Sequence, residues 1–200
     1  MDKNAPLTVF WFRRDLRLHD NAGLYRALKG PNPVLCLFIF DREILDKLED
    51  KDDARVTFIY NTIQKLSEEL GELKSSLLIK YNSPEKAWNE ILEEYNVAAV
   101  CVNRDYEPYA KKRDGALGEL FAKRNIKFKL YKDQVIFHRN EVVKDDKLPY
   151  TVFTPYKNRW LRTVNEFYLK AYPTEKYLKN LYPTKPLKGV SLKEMGFIKS

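Results

Sequence analysis

Two cysteines and two histidines are all that the 200 residues supply, too few to build a Cys/His metal centre with ease. Cys36 sits in VLCLFIF and Cys101 in VAAVCVN, apolar strand-like runs that suit reduced core thiols and argue against a disulfide or a metal pair. His19 and His138 are far apart in sequence, so no metal site is expected. No stretch approaches the roughly 18 apolar residues of a membrane span. The opening MDKNAPLTVF also lacks the basic-then-apolar layout of a secretory signal, and a cytoplasmic chain with no membrane partner is expected. Glycine is scarce, at seven residues. The turn RRDLRLHD that follows the first apolar run holds none, so the close backbone approach a dinucleotide pyrophosphate needs is missing there. GxxxxGK[ST], GxSxG and HExxH are absent as well, which removes the P-loop, hydrolase-elbow and zinc-protease readings.

What is present alternates between two periods. LTVFWF (7–12), PVLCLFIFD (33–41), SSLLIKY (75–81), VAAVCVN (97–103) and IKFKLY (126–131) read as strands. Between them, 20–30 reads as a short helix capped by Asp20 or Asn21 with Gly30 just past its end, and 52–73 as a longer one with Val56, Ile59, Ile63, Leu66 and Leu70 on one face. A further helix starts at Ser83 and Pro84, and the helix over 109–125 is interrupted by glycines. This pattern predicts an α/β fold, a Rossmann-like doubly wound five-stranded parallel sheet. Past Tyr131 the alternation stops, giving way to strand-like and turn-like pieces and then a short helix expected around 156–168. Residues 1–132 are expected to form the core, 133–168 to end the domain by packing on the sheet, and 169–200 to form a C-terminal connector segment. In that last part Tyr-Pro-Thr occurs twice, at 172–174 and 182–184, too short to be a structural repeat.

Charge is concentrated in two ways. Net charge is +8, and residues 151–200 carry ten Lys/Arg against three acids, a phosphate-attracting surface or a solvated face. Before residue 150, RRDLRLHD after the first strand and NRDYEPY (103–109) after the fourth would line one crevice if those strands are neighbours across the switch point of the sheet. A salt-bridge network closing the end of the sheet is the bland alternative for the arginines. Asp105 and Glu107, one residue apart ahead of Pro108, need donors from a partner or a ligand. Arg55, at the start of an apolar helix, reads as buried and paired, and TPY in YTVFTPYKNRWL (150–161) as following an aromatic strand.

FWFRRDLRLHDNAGL, LFIFDREIL, NRDYEPYAKKRDG and YTVFTPYKNRWL, in this order, resemble the amino-terminal domain of the DNA photolyase and cryptochrome family, and class I cyclobutane pyrimidine dimer photolyases in particular. The likeness covers roughly 7–165. It implies a deoxyribodipyrimidine photolyase that acts on UV-damaged DNA as a monomer, with catalytic reduced FAD in a helical domain beyond these residues and no catalytic residue within them. The domain represented here would bind a light-harvesting antenna chromophore. The resemblance places Arg14, Phe38, Asp41, Asp105 and Glu107 at that chromophore, an arrangement suited to a flat heteroaromatic ring with polar edges, and leaves Asp15, Arg17 and Asp20 to brace the turn by charge pairing. Folate-binding relatives carry an Asn-Glu pair where this chain has Tyr109 and Ala110, so deazaflavin or FMN is expected over methenyltetrahydrofolate. Lys157, Arg159 and Arg162 are candidate DNA contacts. Two other readings remain open: a cryptochrome-type blue-light photosensor, and a stand-alone nucleotide-binding or electron-transfer module.

Overall fold

The computed structural model describes residues 5–200. Five strands, β1 (Leu7–Phe12), β2 (Val34–Asp41), β3 (Leu77–Asn82), β4 (Val97–Asn103) and β5 (Lys127–Tyr131), form one sheet in the order β3-β2-β1-β4-β5 with every pairing parallel. The strand order reverses between β1 and β4, so the loops that leave these neighbours open a crevice at their carboxyl ends. The fold class expected from the alternation is the one observed.

Strand side chains alternate between two cores, as a pleat requires. Phe10, Phe12, Cys36, Phe38 and Phe40 point to the face covered by α1 (Ala22–Leu28) and α3 (Ala54–Glu72), whose Leu24, Ile63, Leu66 and Leu70 fill that layer. Val9, Trp11, Leu35, Leu37, Val100 and Val102 point to the other face, against Trp88 and Ile91 of α4 (Pro84–Glu94) and Leu117 and Phe121 of α5 (Pro108–Lys123). A single turn, α2 (Arg42–Leu45), follows β2. The α1 helix begins as anticipated at Asn21, whose side chain accepts from the Leu24 N–H at 3.0 Å. Gly23 is needed for its start: a Cβ there would meet Asn103 Oδ1 at 2.6 Å, while its N–H donates to that same oxygen at 2.8 Å.

Several local expectations change. The α5 helix runs unbroken through Gly115 and Gly118 because its apolar face, carried by Leu117 and Phe121, is held in the core. Ser83 occupies the cap position of α4, but its side chain caps nothing. Arg55 is exposed and held by its neighbour Asp53 on the surface, since the first turn of α3 projects it into solvent. No strand precedes TPY. Residues 153–163 form a helix, α6 (Phe153–Thr163), with no buried residue, followed by a short turn α7 (Glu166–Leu169).

The last thirty residues wrap the domain. Thr174 Oγ1 donates to the Leu18 carbonyl at 2.6 Å, and Tyr172 and Tyr177 pack their rings on Tyr25 of α1. Asn180 Nδ2 reaches the carbonyls of Leu28, Gly30 and Asn32 just past the end of that helix. Leu181 forms a parallel bridge with Val34, and the Tyr182 N–H donates to the Val34 carbonyl at 2.7 Å. Farther on, Met195 and Phe197 are buried in the α1/α3 core. The first Tyr-Pro-Thr piece thus sits at the start of α1 and the second beside the start of β2 and the segment before β3, with different contacts, as expected of a non-repeat.

Candidate functional site

The first charged loop is held from beneath. Asp15, only 3 % exposed, accepts from the Arg13 N–H at 2.9 Å and from the side-chain amides of Asn21 (3.2 Å) and Asn103 (2.6 Å). Its carboxylate is therefore satisfied by neutral amides rather than by the charge pairing expected for it. Asp20, in a left-handed conformation with φ 43°, likewise braces through the Tyr172 N–H at 2.8 Å. Arg17 does pair, with Asp133 at 3.0 Å. Arg13 is buried. Its guanidinium takes both oxygens of Asp114 on α5 at 2.7 and 2.8 Å and also donates to the Asn103 carbonyl. Burial pulls its pKa down against the pull of Asp114.

This scaffold turns Arg14 outward over the carboxyl ends of β1, β2 and β4. Its Nε lies 3.1 Å from Asp105 Oδ2 and its Nη2 2.7 Å from Glu107 Oε1, and the hydrogen bond to Glu107 is the main reason its pKa rises. The donors that Asp105 and Glu107 require thus come from Arg14 in the first loop. Across from them, Asp41 ends β2 and caps α2, accepting from the Glu43 N–H at 2.9 Å. The Tyr109 hydroxyl donates to Asp41 Oδ2. Burial pushes the Asp41 carboxyl up, and burial together with that carboxylate pushes the Tyr109 phenol up.

These groups line one crevice of about 180 Å³. All five residues expected at a chromophore, Arg14, Phe38, Asp41, Asp105 and Glu107, are in its lining. Sequence reasoning missed two others, Trp11 and Arg113. The Arg113 guanidinium lies 4.9 Å from the centre of the Trp11 ring and 5.7 Å from that of Tyr109. The signal was available: Tyr109 and Arg113 are four apart at the start of a helix, hence on one face. Tyr109 and Ala110, the positions that depart from the folate pattern, are both at the crevice wall. The arrangement offers apolar surface from Phe38 and Ile44, a guanidinium oriented by two carboxylates, and a carboxylate–phenol pair. A flat ring with carbonyl and N–H edges is the kind of group such a slot can hold.

Lys157, Arg159 and Arg162 are all exposed on α6. Arg159 and Arg162, three apart, share one side of the helix, with Arg159 4.0 Å from Asp145. Lys157 lies four residues from both Phe153 and Leu161, on the side that presents those exposed apolar residues. The structure does not gather the three cations on one face. Among the described residues no cluster of three or more His, Cys, Asp or Glu could hold a metal, and no helix is long and apolar enough to cross a membrane.

A family model described as DNA photolyase matches residues 8–176. The deoxyribodipyrimidine photo-lyase of Synechococcus sp. (strain ATCC 27144) is 31 % identical over 156 residues, which cover 78 % of this chain and 32 % of that protein. Cryptochrome-1 of Erithacus rubecula is 26 % identical over 68 % of this chain and 22 % of its own length. Among solved structures, an archaeal photolyase from Sulfolobus tokodaii, described as containing two FAD molecules with the implication of a novel light-harvesting cofactor, is 33 % identical. It superposes with a TM-score of 0.60 over 67 % of this chain and 32 % of its own. A class III photolyase from Agrobacterium tumefaciens, 23 % identical, shares the fold over 94 % of this chain and 38 % of its own, with a TM-score of 0.78. The chain spans about a third of the length of these photolyases.

Proposed function

Because this chain belongs to the DNA photolyase family, we propose that it is the antenna-binding domain of a deoxyribodipyrimidine photolyase, and that its crevice seats a deazaflavin or flavin ring. The observation that carries the reading is Arg14, clamped between Asp105 and Glu107 at the rim of a slot lined by Phe38 and Ile44. The Sulfolobus tokodaii photolyase, described as having two FAD molecules with the implication of a novel light-harvesting cofactor, supports a flavin-type occupant. A bound ring would absorb light and pass excitation on to a repair flavin. The chain's own residues bind and orient it: Phe38 and Ile44 exclude water from its faces, Arg14 donates to a carbonyl edge, and Asp41, Asp105 and Glu107 accept from N–H groups or hold Arg14 in place. Repair of cyclobutane dimers, by an electron from reduced FAD in a helical domain, belongs to the full-length protein. Support for such a packing partner comes from Phe153, Leu161, Phe167 and Leu169, apolar and more than half exposed.

Titrating the chain with deazaflavin, FMN and methenyltetrahydrofolate tests the assignment. Flavin-type ligands should bind and the folate should not, and Asp105→Ala and Glu107→Ala should each weaken binding by roughly tenfold to a hundredfold, the worth of one charged hydrogen bond at about 1.5–3 kcal/mol. Tight folate binding, or flavin binding indifferent to both substitutions, would overturn the assignment. Cryptochrome relatives also match, and light-dependent loss of dimers by the full-length protein separates the repair reading from the photosensor one.

The basic residues of α6 are proposed to add sequence-independent attraction to phosphates. Replacing Lys157, Arg159 and Arg162 with Gln together should flatten the salt dependence of DNA binding by the full-length protein, with Arg159 and Arg162 carrying most of the change. An unaltered slope would remove them from the DNA surface.

A further inference from the structure

On the far side of the 104–107 loop from the crevice lies a second cavity, of about 300 Å³, at the small end of the range for ligand pockets. It is bounded by the first two turns of α5, by Phe128 and Leu130 of the edge strand β5, and by His138 and Arg139. Arg104, Lys111 and Arg139 line it, and among the described residues none of them forms an ion pair with a carboxylate. The two acids in its wall are neutralised elsewhere, Asp105 by Arg14 at 3.1 Å and Asp114 by Arg13 at 2.7 Å and Arg113 at 3.1 Å. Nearby Glu141 is taken by Lys132 at 2.9 Å. Three cations therefore face a space with no anion to answer them.

The remaining wall is aromatic. Tyr106 and His138 have ring centres 5.5 Å apart, and the Tyr106 hydroxyl meets His138 Nδ1 at 3.2 Å. Burial, then Arg104 and Arg139, holds the His138 pKa below its usual value, consistent with a positive surrounding. Two backbone features border the space. Gly115 occupies the middle of α5, where glycine is a poor helix former, yet a Cβ there would meet no atom within 4 Å. Arg139 has φ 43°, in the left-handed region, a strained setting for a non-glycine residue.

We propose that this cavity is a second ligand site, for a small phosphate ester carrying a flat ring, with Arg104, Lys111 and Arg139 on the phosphate and Tyr106 and Phe128 beside the ring. The chemistry is that of a mononucleotide. It does not depend on the crevice being a chromophore site.

Calorimetric titration of the chain with AMP and with inorganic phosphate tests it. AMP should bind saturably and inorganic phosphate at least tenfold more weakly, for want of the ring. Arg104→Gln, and Lys111→Gln and Arg139→Gln at exposed positions, should each weaken AMP by about tenfold or more, and Gly115→Leu, which fills the cavity, should abolish binding. Riboflavin, which has no phosphate, should bind these variants as it binds the parent. Absence of saturable AMP binding at millimolar concentration, AMP binding unchanged by all three cation variants, or AMP binding lost in Glu107→Ala instead, would each overturn the proposal.

Discussion

Ending the chain after Tyr172 is expected to leave a protein without a cooperative unfolding transition. Leu181, Met195 and Phe197 are each 5 % exposed or less and belong to the core beneath α1 and α3. Burying a side chain of that size contributes about 1.5–3 kcal/mol, so removing three takes away roughly 5–9 kcal/mol, comparable with the ~5–15 kcal/mol that holds a typical domain together. The loss goes beyond apolar area. Asn180 satisfies three carbonyls beyond the end of α1, and Tyr182 satisfies the Val34 carbonyl at the start of β2. Without the tail these groups face either water or a void. Urea unfolding followed by far-UV circular dichroism should show a broad, non-cooperative change for the truncated chain. The single substitution Leu181→Asp should lower stability in the same direction. A sharp transition near that of the parent would mean that the tail is an appendage.

Asp114→Ala is expected to destabilise the fold by about 3–5 kcal/mol, because it strands a buried guanidinium. The side chains of Arg13 and Asp114 are 5 % and 9 % exposed, and Arg13 Nη1 donates to both carboxylate oxygens. It joins the first turn after β1 to the second turn of α5, and so fixes the two loops that frame the crevice relative to each other. Arg113 also leans on Asp114 at 3.1 Å, so one deletion leaves two cations uncompensated. Replacing both Arg13 and Asp114 with apolar residues should be milder than Asp114→Ala alone, since no buried charge is then left unpaired. Thermal unfolding of the single and double variants decides it. Equal, small effects in both would show that the pair does not bind the loops together.

The sheet was readable because β1, β2 and β4 are buried along nearly all of their length and the edge strand β3 along half of it, and near-continuous apolar runs such as VLCLFIF have few other uses. The crevice was readable for the same reason: a parallel sheet of this kind dictates which loops meet, and the charged ones after β1 and β4 do meet. Partner identity was not legible. Whether Asp15 answers to an arginine or to Asn21 and Asn103 depends on how far each side chain reaches in three dimensions. The tail misled in a different way. Its Pro, Lys and Tyr content reads as a surface connector, and most of it is exposed, but a few apolar residues at irregular intervals enter the core where no period could announce them. The short helix expected around 156–168 is found as α6 and α7, and only its start was misread, because the aromatic and β-branched residues of YTVF favour strands.

In the proposed complex the slot between Arg14, Phe38, Asp41 and the Asp105–Ala110 segment seats a flat flavin-type ring. Backbone amide NMR of the isotopically labelled chain, titrated with riboflavin, tests it most directly, because the ligand lacks the phosphate that could draw it elsewhere. Saturable shifts confined to residues 11–14, 38–45 and 105–113, lost or weakened in Glu107→Ala, are the result this account predicts. Shifts centred on any other surface, or none at saturating riboflavin, would contradict it.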